Sequence, residues 1–156
     1  MTILRKFRTL RSLGPDGMLL TIEALILTAV VSAGFGLIGV PRTQKLLRRW
    51  ASSKTSAGGR VKDIGAEIRM ARRAQRIVHR NAEARGSCLS RSLVLWALLE
   101  RRGVETVLRV GFRKQGGTTQ GHAWVERHGV PLNEDADVAT SYTVSDALAS
   151  FDVHRK

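Results

Sequence analysis

A single thiol and one of four histidines stand where nucleophilic chemistry needs them. Cys88 follows Arg85-Gly86-Ser87 and leads into Leu89-Ser90-Arg91-Ser92-Leu93-Val94-Leu95-Trp96-Ala97-Leu98-Leu99. The apolar run at 93–99 leaves no wet face, so it predicts a buried helix with Cys88 at its start. A thiol at a helix N-terminus faces free backbone N–H groups and the positive end of the helix dipole, and both favour the reactive thiolate. Downstream, Gly121-His122-Ala123-Trp124-Val125-Glu126 reads as a short strand carrying a base. A cysteine on a helix and a histidine on a later strand form a recurrent pattern for nucleophilic catalysis.

Such a pair also needs a polar group to orient the histidine and donors to hold an oxyanion. Period-2 alternation places His122, Trp124 and Glu126 on one face and Ala123 and Val125 on the other. Reflecting position 122 through a hairpin centred on His128-Gly129 lands near residue 135. Asn133, Glu134 and Asp135 are therefore the candidates for the orienting group. Simple reflection prefers Asp135, and a bulge at Pro131 would shift the register by one. The Cys88 N–H is the natural first oxyanion donor, with Asn81 or Arg80 as the nearest side chains for a second. Taken alone, Cys88 reads as a small buried hydrophobe, and His79, His128 and His154 read as ordinary surface or core residues. The order helix cysteine, strand histidine, hairpin carboxylate is what favours chemistry. A metal site is not expected, because one cysteine and scattered histidines give no ligand-pair spacing.

The elements that must position this pair are legible around it. Arg101-Arg102-Gly103 is a helix stop, with cations in the last turn and then glycine. Residues 104–113 alternate: Val104, Thr106, Leu108, Val110 and Phe112 point one way, and Glu105, Arg109 and Arg113 the other. Residues 115–120 predict a flexible turn, 122–126 the next strand, His128-Gly129 a tight turn and 130–132 a third strand. A helix leading into an antiparallel meander is an α+β arrangement. Before the thiol, residues 62–80 show a helical stripe of Ile64, Ile68, Ala71, Gln75 or Ala74, and Val78. Arg69, Arg72, Arg73, Arg76 and Arg80 take the remaining surface, as a solvated face or a docking face.

The N-terminal third has a different character. Residues 1–16 are basic and apolar, and Gly14-Pro15-Asp16-Gly17 breaks them. Residues 18–40 are the most apolar stretch and match the roughly 20 residues that span a bilayer. Two readings compete: a membrane helix with Glu23 near its start, or a helical hairpin broken around Gly34-Phe35-Gly36. Pro41 ends the stretch, residues 45–50 resume a basic amphipathic helix, and the small polar residues 51–60 read as a linker. The expected division is a basic and apolar helical segment with linker at 1–60 and a catalytic domain at 61–156.

The chain of 156 residues holds one ordinary domain, or a small domain with an N-terminal extension. A lone cysteine excludes an intramolecular disulfide and points to a reducing compartment, the cytoplasm, with membrane association through residues 18–40 as the open variant. A net charge of +13 implies an anionic partner. Nucleic acid is not expected, because basic residues do not alternate with aromatics for base stacking.

Together, Gly86-Ser87-Cys88-Leu89-Ser90-Arg91-Ser92-Leu93, Gly121-His122-Ala123-Trp124-Val125-Glu126 and Gly129-Val130-Pro131-Leu132-Asn133-Glu134, with Asp137-Val138 and Tyr142, resemble the lasso-peptide leader peptidases. These are transglutaminase-like proteins related to the microcin-processing maturation protein. The resemblance covers roughly residues 60–145. It implies a papain/transglutaminase-like core and a Cys–His–Asp triad that cuts the leader from a ribosomally made precursor, without a cofactor. Carried over, Cys88 is the nucleophile and His122 the base. The family's acidic position falls on Glu134, a departure from Asp, with Asp135 and Asn133 ranked behind it. No winged-helix leader-binding pattern precedes the domain, so the chain resembles the split type. That type implies a separate leader-recognition protein and an ATP-dependent lasso cyclase as partners. Two other functions stand beside this one: acyl transfer onto an amine through the same thioester, and an inactive, membrane-associated basic scaffold.

Overall fold

The computed structural model describes residues 14–55, 63–79 and 88–145. Four helices come first: α1 (Gly14–Leu37), α2 (Val40–Thr55), α3 (Ile64–His79) and α4 (Cys88–Glu100). Then follow β1 (Val107–Gln115), β2 (Thr118–Arg127), β3 (Val130–Pro131), the short α5 (Val138–Ser141) and β4 (Thr143–Val144). The sheet is antiparallel throughout, in the order β3-β2-β1-β4. This is the mixed α+β fold that the helix-then-meander pattern predicts.

The core forms around α4. Residues 93–99 are buried on every side, because α1, α2 and α3 cover one half of the helix and the sheet covers the other. Burial of each such large side chain contributes about 1.5–3 kcal/mol. The helix stops where the sequence says it should. Gly103 takes a positive φ of 72°, the Val104 N–H returns to the Leu99 carbonyl, and the Arg102 guanidinium donates to the Leu98 carbonyl.

Three expectations about the N-terminal half need correction. First, the apolar stretch does not break at Gly34-Phe35-Gly36. α1 runs through it and stops at Gly39, whose φ is +78°. Gly34 serves as a contact point: a Cβ there would lie 2.5 Å from the Thr43 hydroxyl oxygen, so only glycine lets α2 cross so closely. Second, Pro41 does not end an element. It sits in the first turn of α2, where a missing N–H costs nothing. Third, residues 51–55, expected in the linker, continue α2.

The expected division between residues 60 and 61 lies outside the described residues, but the helices on either side share one core. Leu20, Ala24, Leu27 and Val31 of α1 and Leu47 of α2 pack with Ala71 of α3 and the apolar residues of α4. By length and composition α1 is able to cross a membrane; in this fold its inner face belongs to the core. Its outer face exposes Met18, Leu19, Ile22, Leu25, Ile26 and Val30. Glu23, the acid that a spanning helix would have to carry, pairs with Arg102 at 2.7 Å and Arg101 at 3.8 Å.

Strand limits shift modestly. β1 begins at Val107 rather than 104, and the hairpin is tighter than expected, turning at Gly116 and Gly117, both at positive φ. The alternation in β1 lapses at Phe112, which is 40% exposed, because the hairpin there runs beyond the helix layer.

Candidate functional site

Two anchors fix how α4 lies along β2. The Ser92 hydroxyl donates to the Ala123 carbonyl at 2.8 Å, fully buried. The Glu100 carboxylate accepts from the Thr106 N–H at 2.9 Å, and Thr106 adjoins Val107, the register partner of Glu126. The helix therefore runs in the same sense as the strand. One turn back from Ser92, on the same helix face, is Cys88, on the His122 side of the Ser92–Ala123 anchor. Cys88 is half-buried and opens α4.

His122 is held from several sides. Its Nε2 lies 3.3 Å from Glu134 Oε1. Its ring stacks on Tyr142 with centroids 5.2 Å apart and planes 30° apart, and on Trp124 at 6.3 Å and 22°. Tyr142 comes so near because the residue opposite His122 in the β1–β2 register is Gly111. A Cβ at Gly111 would lie 2.8 Å from Tyr142 Cβ and 3.0 Å from Trp124 Cη2. On the far side of the cluster the Arg113 guanidinium sits over the Tyr142 ring at 4.8 Å. Trp124 is itself pinned: its indole N–H donates to Glu126 Oε1 at 2.6 Å, and Arg109 donates to the other carboxylate oxygen at 3.0 Å. Glu126, expected on the open face beside His122, is therefore a buried, doubly bonded group.

The three candidates behind His122 part company here. Reflection through His128-Gly129 holds through the paired strands and one residue beyond, since Glu126 pairs with Pro131 and the Leu132 N–H donates to the Val125 carbonyl. At Asn133 the ladder changes character. Its side-chain oxygen takes the backbone N–H of Val125 at 2.8 Å, while its amide donates to the Ser92 hydroxyl at 3.0 Å. With Asn133 turned into the sheet, Glu134 is the carboxylate that reaches the imidazole. Asp135 is exposed and offers its carbonyl to the Val138 N–H ahead of α5. Asn133 thus bridges the cysteine helix and the histidine strand rather than touching His122. Arg80 and Asn81, the suggested oxyanion donors, lie outside the described residues.

Sequence reasoning missed Ser92 as a site residue, although a signal existed. It is a buried polar residue four positions after Cys88, at the head of the apolar run 93–99. Gly111 carried no such signal, because the close approach of Tyr142 arises only once β4 pairs with β1.

A histidine whose Nε2 faces a carboxylate keeps Nδ1 for another partner, and the carboxylate stabilises the imidazolium that forms when that partner gives up a proton. The arrangement suits a thiol nucleophile attacking an acyl group. Comparison with known proteins agrees with that chemistry: a sequence model of the transglutaminase-like superfamily matches residues 36–146. The chain belongs to the transglutaminase-like superfamily, whose members are generally cysteine-dependent hydrolases or acyl transferases. The match begins at the last two residues of α1 and takes in all of α2. No curated protein and no solved structure matches the chain.

Proposed function

We propose that this chain is a cysteine peptidase that removes the leader from a ribosomally made lasso-peptide precursor in a reducing cytoplasm. The observation that carries the reading is the Glu134–His122 contact beside the helix that starts at Cys88. Its support is the superfamily membership together with the Gly-His-Ala-Trp-Val-Glu and Leu-Asn-Glu motifs.

In this reading His122 Nδ1 takes the Cys88 proton and the thiolate attacks the scissile carbonyl carbon. The tetrahedral oxyanion collapses to a thioester while the imidazolium protonates the departing amine, which becomes the N-terminus of the core peptide. Water, deprotonated by His122, then attacks the thioester and releases the leader as a carboxylate, with the thiol restored. Glu134 keeps the imidazole oriented and balances its charge in both halves. The freed amine is the group that an ATP-dependent cyclase joins to a side-chain carboxyl of the core, and a separate leader-recognition protein presents the precursor.

The test is incubation with precursor and recognition partner, followed by mass spectrometry. Free leader and free core are expected, with cleavage lowered at least about 10,000-fold in Cys88→Ala. Undiminished cleavage by that variant would sink the reading. A product carrying a new isopeptide bond would assign the thioester to acyl transfer instead.

A further inference from the structure

We infer that a cleft beside the His122–Glu134 pair is a subsite for a carboxylate, so that the peptide substrate carries an acidic side chain close to the bond that is cut. This rests on the reading of Cys88 as the nucleophile and names one class of substrate group for it. The cleft holds about 110 Å³ between α3, α4 and the segment after β3, and its walls are Gln75, Arg76, Arg91, Asn133 and Glu134. Three of those five groups already have partners. The buried Gln75 amide donates to the Arg91 carbonyl at 2.6 Å. Asn133 is engaged with Ser92 and Val125, and Glu134 faces His122.

The two arginines are different. Both side chains are exposed, and among the described residues neither lies within ion-pair distance of a carboxylate. Each guanidinium offers five N–H donors in a planar fork that matches a carboxylate. Glu134 offsets only one of the two charges, so the cleft keeps a net attraction for an anion and repels lysine or arginine side chains. Its position sets the distance to the chemistry: Arg91 is three residues from Cys88 on the same helix, and Glu134 touches the base. A carboxylate lodged there belongs to a residue near the scissile bond.

The thiol allows a test that needs no knowledge of the natural substrate. Alkylation of Cys88 is timed on the full chain with iodoacetate, which bears a carboxylate, and with neutral iodoacetamide. The wild type is expected to favour iodoacetate. The Arg76→Gln/Arg91→Gln pair should lower the ratio of the two rates about tenfold, the effect of removing a few ångströms' worth of charge attraction in a partly wet cleft. Arg42→Gln/Arg49→Gln, which removes two exposed cations on α2 away from the cleft, should leave the ratio unchanged. Arg91→Lys keeps the charge with the least disturbance to α4 and should keep most of the preference. An unchanged ratio in the Arg76/Arg91 pair overturns the proposal. So does an equal fall in both pairs, which would assign the preference to the net charge of the chain. His122→Ala reports on the nucleophile separately: if both reagents react with it as fast as with wild type, the peptidase reading fails while the ratio still decides the subsite.

Discussion

The two ends of α4 carry polar clusters built on opposite plans. At the C-terminal end, Arg101 and Arg102 reach three other helices. Arg102 meets Glu23 of α1 at 2.7 Å and Glu67 of α3 at 3.4 Å. Arg101 lies over the Trp50 ring of α2 at 3.9 Å and donates to its carbonyl. These are long, charged contacts, and α1 and α2 are each held by two of them. At the N-terminal end the connection between helix and strand is a chain of short neutral groups, Ala123 to Ser92 to Asn133 to Val125. Each link there has no substitute. The first end fastens helices together; the second sets how the helix that opens at Cys88 lies along the strand that carries His122, and position tolerates less change than attachment does.

That contrast can be broken at several points. The largest effect is expected from Glu134→Ala, which removes the carboxylate behind the base: turnover should fall about 1,000-fold or more, with the melting temperature little changed. Glu134→Asp, which restores the residue type of the resembled family, should retain most of the rate. If Glu134→Ala cleaves normally, Glu134 does not orient His122. Next is Asn133→Ala. It leaves the Val125 N–H without its acceptor and frees Ser92, so turnover should drop about 100-fold through misplacement, more in kcat than in KM. An unchanged kcat would reduce the neutral chain to mere attachment.

Gly111→Ala should follow, with a loss of about tenfold in rate, because a new methyl group must push Tyr142 or Trp124 off the imidazole at a cost of about 1–3 kcal/mol. A crystal structure showing both rings unmoved would contradict it. The smallest change in rate belongs to Arg102→Ala. Cleavage should stay within about threefold of wild type, while the melting temperature falls by about 4–8 °C for a loss near 2 kcal/mol. A large rate loss with an unchanged melting temperature would erase the distinction between the two ends.

How far the sequence disclosed this arrangement varies with the kind of force involved. The run at 93–99 announced α4 because a helix apolar on all sides can only be buried. The reflection through His128-Gly129 held wherever backbone groups pair with each other, and it stopped discriminating at Asn133, where a side chain takes over a backbone position. Alternation along β2 separated the two faces correctly but misjudged Glu126 as open, since pairing with Trp124 and Arg109 buries a carboxylate that hydropathy places in water. The glycines of α1 suggested a break, because propensity counts their cost in an isolated helix; the contact of Gly34 with Thr43 is tertiary and leaves no local trace. Ser92 stands just ahead of the apolar run, and its partners lie 31 and 41 positions away.

The β1–β2 tip has a practical consequence. Gly116 and Gly117 project from the sheet with nothing within 4 Å of where a side chain would begin. The site is assembled midway along the same ribbon, where His122 pairs across to Gly111. An epitope or a small fluorescent reporter spliced between the two glycines would therefore ride on the hairpin that carries His122, giving an optical handle on substrate arrival without a label near the thiol.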